Sequence, residues 1–254
     1  SVKSRGLGDV YKRQVKKKAT NGVIDDSLVE AESSSLQGVI HESAKNISKV
    51  IGRSSKIYDN VIKGLSRHDL SELKKNKKQI SKLSSEVDNL KDKLFYFIKN
   101  LDESSLGASN FYINLLGYLQ DITQSIEYVS KVSLKHINNN HSKLTLNQIR
   151  DLLDIQKVVA EIFESISLTF ANKSFGDVKN ILKEKNKIIG LLEEKIEAQI
   201  SRTRTSEEKS PKNAALYFSI LQESKDLMKE VMNLIEEYYV SYDKSVKPAK
   251  PKDE

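Results

Sequence analysis

The chain has 254 residues, 30% of them charged and 38% hydrophobic, with a formal net charge of +7. It contains no cysteine, which excludes disulfides and thiolate metal sites. No apolar run approaches the ~18–20 residues that span a bilayer.

The first fourteen residues, SVKSRGLGDVYKRQ from Ser1 to Gln14, resemble a translated sequencing-adaptor scar found in front of unrelated reading frames. They carry Lys3, Arg5, Lys12 and Arg13 against Asp9, so the remainder holds only +4 of the overall +7. That charge is too mild to imply nucleic-acid binding. The native reading frame is accordingly expected to extend upstream of Val15. Residues 15–26 form a basic lead-in with Lys16, Lys17 and Lys18, which fits either a solvated linker or a patch beside anionic headgroups.

All three prolines, Pro211, Pro248 and Pro251, lie beyond residue 210. Proline breaks helix interiors, so the preceding chain is open to long helices in series. Few aromatics and abundant Lys, Glu, Leu and Ile point the same way, to an all-α fold.

A first helix is expected from Ser27 to about Lys63. Leu28, Val39, Ile47, Val50, Ile51, Ile57, Val61 and Ile62 form its apolar stripe, and Gly64 stops it. Gly38 and Gly52 weaken its continuity. The second starts at Asp69, with Glu72 completing an acidic capping box. Ile80, Leu83, Val87, Leu90, Leu94, Phe97 and Leu101 then alternate spacings of three and four. Lys74, Lys75, Lys77, Lys78 and Lys82 decorate its early turns, as a solvated face or as a surface for lipid phosphate or an acidic partner.

After a turn at Asp102–Ser105, the third helix carries Ala108, Tyr112, Leu115, Leu119, Ile122, Ile126 and Val129, and ends near Ile137. Asn138, Asn139 and Asn140 follow, residues that tolerate left-handed backbone. His136 and His141 flank them at a spacing of five, which is not the spacing of a helical zinc pair and suits hydrogen bonding within the turn, with contact to a partner loop as the alternative for this segment. Residues 27–137 thus read as one three-helix bundle and 138–144 as an Asn-rich turn.

A second triplet occupies 145–242. Thr145 and Gln148 make a capping box, and Leu152, Ile155, Val159, Ile162 and Ile166 form the stripe of the fourth helix. Lys173–Gly176 reads as a turn. A single fifth helix is expected to carry Val178, Ile181, Ile188, Leu192, Ile196 and Ile200. After a polar loop at Arg202–Lys209, Ser210 as N-cap and Pro211 in the first turn start the sixth helix. Its buried face is Tyr217, Ile220, Leu221, Met228, Val231, Leu234, Ile235 and Tyr238. Residues 243–254 have the composition of a disordered tail.

Two triplets separated by a turn suggest a duplication, and Leu119-Gln120-Asp121 and Leu221-Gln222-Glu223 stand at similar places in the third and sixth helices. This layout, with the stretch YLQDITQSIEYVSKVSLKHINNNHSKL, resembles the PhoU-like family. More specifically, it resembles the cytoplasmic domain at the C-terminus of Bacteroidetes-type sodium–phosphate cotransporters. The resemblance covers about residues 27 to 242. It implies two tandem antiparallel three-helix bundles and a non-catalytic regulatory role on the cytoplasmic face of the inner membrane. The implied partners are a transmembrane phosphate-transport domain upstream in the same chain, a second copy, or the membrane surface.

The family's third helices commonly carry a Glu-x-x-x-Asp pair that bridges metal. Aligned through the repeat, those positions fall here on Thr123 and Glu127, and on Lys225 and Lys229. Lysine adds repulsion where ligands are needed, so no cofactor is expected, with Asp121 and Glu127 left as metal candidates. No phosphate loop, nucleophile elbow or acid–base pair is present, so no enzyme and no nucleic-acid partner are expected. A free-standing PhoU-type regulator of phosphate import is the related alternative. A coiled-coil scaffold unrelated to phosphate is the alternative of another class, and it predicts a single elongated rod.

Overall fold

The computed structural model describes residues 35–101 and 106–245. The scar, the lead-in with Lys16–Lys18, Leu28, the turn at 102–105 and residues 246–254 lie outside them. Seven helices are described: α1 (Leu36–Ser66), α2 (Leu70–Lys99), α3 (Leu106–Asn138), α4 (Leu146–Ala171), α5 (Val178–Leu182), α6 (Lys185–Arg204) and α7 (Pro211–Ser241). A 3-10 turn at Phe175–Asp177 precedes α5, and the described residues contain no strand. The all-α reading holds.

The helix starts follow local chemistry. Ser35, Asp69, Thr145 and Ser210 each turn a side-chain oxygen onto a backbone N–H three residues on. Thr145 and Gln148 complete the reciprocal box. Asp69 and Glu72 do not. The Asp69 N–H already bonds to the Gly64 carbonyl at 2.8 Å, which leaves the Glu72 carboxylate nothing to cap.

That same bond corrects the first helix end. α1 runs through Gly64 to Ser66, and the left-handed residue is His68, with φ 54°. Gly64 serves packing instead, since a Cβ there would lie 3.2 Å from the Leu73 side chain. His68, Asn140 and Lys173 all take positive φ just past a helix, and each helix end closes with the paired bonds of a Schellman motif.

The fifth helix is the second correction. It breaks at Lys183 and Glu184 into α5 and α6. No apolar residue lies between Leu182 and Ile188, so nothing anchors the intervening turn to the core. Further along, Ile200 is 44% exposed and the neighbouring Gln199 is fully buried in its place.

The two halves pack helix on counterpart. α1 lies chiefly against α4, and α3 packs on α7 about as extensively as on α2. Those four form the centre of the molecule. α2 flanks it by packing on α1 and α3, and α6 packs mainly on α7. The pairing of Asn114 with Glu237 at one point of the α3–α7 seam, and of Ser125 with Glu223 further along, shows the two helices antiparallel. Buried apolar side chains from both halves join in one core.

Polar groups pin the helices across that core. The hydroxyls of Ser43 and Tyr238 bond to each other, as do those of Tyr58 and Ser224 at 2.7 Å, tying α1 to α7 at two levels. Burial pushes the Tyr58 hydroxyl up to about 12. At one end of the molecule the rings of Phe111, Phe170, Phe175 and Tyr238 meet with centroids 4.6–5.7 Å apart. Tyr242 joins Phe175 there, while Tyr239 is 38% exposed.

Candidate functional site

The asparagine turn closes α3 by backbone bonds. The Asn140 N–H reaches the Ile137 carbonyl and the His141 N–H reaches the His136 carbonyl, with Asn140 at φ 57°. His136 is buried, and its Nε2–H donates to the Ser142 carbonyl at 2.8 Å. The two imidazoles lie 5.1 Å apart, tilted. Partial desolvation, then His136 and Lys212, hold His141 below the usual histidine range. The Asn213 side-chain amide donates to the Lys143 carbonyl at 2.9 Å, fastening the turn to α7. The side chains of Asn138, Asn139 and Asn140 stay exposed.

Beside the turn lies a polar network absent from the sequence-based expectations. The Asp151 carboxylate on α4 accepts from the Tyr217 hydroxyl at 2.9 Å and pairs with Lys195 at 3.1 Å and Arg202 at 3.7 Å. The Arg202 guanidinium also covers the Tyr217 ring and donates twice to the Gln199 side-chain oxygen. The Gln148 and Gln199 amides donate to Glu208 of the α6–α7 loop. One signal was available in the sequence. Gln199 stands seven residues after Leu192, and Gln148 seven before Ile155, so both fall on buried rows. The charges in this network compensate one another, which makes it a clamp for a helix junction.

The degenerate motif positions separate. Thr123 is buried and bonds back to the Gln120 carbonyl of its own helix at 3.0 Å. Glu127 is half-buried and Asp121 exposed. Lys225 turns to α6 and pairs with Glu193 at 3.1 Å, and Lys229 is exposed. Where α3 meets α7, carboxyl groups face each other. Burial, then the Asp121 carboxylate hydrogen-bonded to it and Asp226, raise the Glu230 carboxyl above its ordinary range. Burial raises Glu223 as well, opposed by a hydrogen bond from Ser125. Among the described residues no three histidine, aspartate or glutamate side chains are grouped to hold a metal.

At the opposite end, the His41 Nε2 is buried without a hydrogen-bond partner, edge-on to the Phe175 and Tyr242 rings. Lys74, Lys75, Lys77, Lys78 and Lys82 are all exposed along α2. No described helix is long and apolar enough to cross a membrane. Compared with protein-family models, curated proteins and solved structures, the chain matches none.

Proposed function

We propose that the chain works by docking, as the regulatory domain of a sodium-dependent phosphate transporter on the cytoplasmic face of the inner membrane. It would bind the transport domain or a second copy of itself and favour one transport conformation through differential contacts. The observation that carries this reading is the packing of each half on its counterpart, α1 on α4 and α3 on α7. Side-by-side halves of this kind are what the PhoU-like resemblance implies, and a single elongated rod lacks them. The self-compensated clamp around Asp151 adds weight to a binding role, because its charged groups are occupied in holding the fold.

The test begins with the genomic sequence upstream of Val15. Apolar spans of about 20 residues each are expected there in the same frame. In proteoliposomes, deleting residues 27–242 from the full-length chain should then change sodium-dependent phosphate uptake. Finding neither spans upstream nor an effect of this chain on phosphate uptake overturns the proposal.

A further inference from the structure

The outer flank of the molecule is α2, whose inner row packs on α1 and α3. Its outward row repeats at helical spacing and holds Lys74, Lys78, Lys82, Asp92, Tyr96 and Lys99, all exposed, so that one carboxylate stands among four lysines. Eight lysines of α2 are exposed, against the exposed carboxylates of Asp88 and Asp92 alone. Its C-terminal turns add two aromatic rings that do not fold back onto the bundle: Phe95 is 66% exposed and Tyr96 63%.

Apolar side chains on a solvated face cost little singly. An adjacent aromatic pair, flanked by Lys93 and Lys99 on a basic face, is a different pattern. Cationic side chains along one side of a helix with aromatic rings at the same level match the composition of helices that lie in a headgroup layer. The stretch from Lys74 to Lys99 spans about 38 Å along a single convex helix, which suits a flat partner better than a groove-seated peptide. We infer that the outward face of α2 docks on an anionic phospholipid surface, with the lysines against the phosphates and Phe95 and Tyr96 among the headgroups. This deepens the membrane-side part of the regulatory reading and rests on it only for its biological setting. The phosphate-transport part is not involved.

The chain contains no tryptophan, so Tyr96→Trp creates a single reporter at the contact. The probe is a vesicle of phosphatidylcholine, alone or mixed with phosphatidylglycerol. The mixed vesicles should shift the Trp emission to the blue and sediment the protein, whereas phosphatidylcholine alone or high salt should abolish both. Reversing Lys74, Lys78 and Lys82 to Glu should weaken vesicle binding by at least about tenfold. Equal reversals at the exposed Lys157, Lys179 and Lys229 should weaken it far less, which separates this face from net charge. Unchanged melting temperatures establish that the variants fold. No binding to the mixed vesicles, or equal loss in both triple variants, overturns the inference; the first result would leave the lysine row to an acidic protein. Because the vesicles hold no transporter, neither outcome bears on phosphate uptake, which is tested separately.

Discussion

Ser48 on α1 and Ser167 on α4 hydrogen-bond to each other's backbone, each hydroxyl reaching the other's carbonyl, at 2.8 and 3.2 Å. Such reciprocity requires two helices at close approach, and Gly52 lies one turn along from Ser48. A Cβ on Gly52 would meet the Ser167 hydroxyl at 3.6 Å, an ordinary contact. Gly52→Ala should therefore stabilise the protein by about 0.5–1 kcal/mol through helix propensity. Gly52→Leu should be little worse than the alanine, because the position is exposed and a longer side chain can turn to solvent. Denaturant titrations of the two variants check this, and destabilisation by the alanine would show that the helices sit closer than described.

Asp151 gathers one hydroxyl and two cations from two other helices, with only 15% of its side chain exposed. Asp151→Ala leaves Lys195 and Arg202 without that counter-ion and should cost about 2–4 kcal/mol. Tyr217→Phe, which removes one hydrogen bond and keeps the ring under Arg202, should cost about 1 kcal/mol. Equal losses in the two variants would mean that the ion pairs contribute nothing.

Glu230 has a carboxyl held above its ordinary value of 4.5, first by burial and then by Asp121 and Asp226. The folded state therefore binds this proton more tightly than the unfolded state does. The resulting penalty is absent below about pH 4.5, grows as pH rises through the raised value, and is complete at neutrality. Glu230→Gln should raise stability at pH 7 by about 0.5 kcal/mol, the scale of partly exposed charge interactions. It should change little at pH 4. Melting curves at the two pH values decide the matter, and a gain confined to acid would reverse the assignment.

His41 moves the other way. Burial, with Lys173 nearby, lowers its pKa from 6.5, so the fold favours the neutral ring. Stability tied to this group is present above about pH 6.5, starts to fall as the unfolded chain takes up the proton below that, and is lost as the pH falls through the lowered folded value. His41→Leu should reduce the drop in melting temperature between pH 7 and pH 5. An undiminished drop assigns the acid sensitivity to other groups.

The long apolar rows were legible because their cause is local. Ile80, Leu83, Val87 and Leu90, and Tyr112 through Val129, state their burial by spacing alone. Caps at Asp69, Thr145 and Ser210 were legible for the same reason. The break at Lys183–Glu184 was less visible, since Ile181 and Ile188 stand seven residues apart and keep one row in register on either side of it. The clamp around Asp151 was hidden because its partners lie 44 to 66 residues away in the chain. The contact of α1 with α4 includes the Ser48–Ser167 pair, small polar residues that no hydropathy pattern singles out.

The dependence of α4 on α1 has a consequence for how the chain is held together. The Asn138–Asn140 turn joins the halves covalently, yet the surfaces buried between α1 and α4 and between α3 and α7 would hold them in its absence. Two peptides divided at Asn139 should therefore associate into the native fold when mixed, while either alone would expose the apolar face its counterpart covers. The link would then act chiefly by raising the effective concentration of one half for the other.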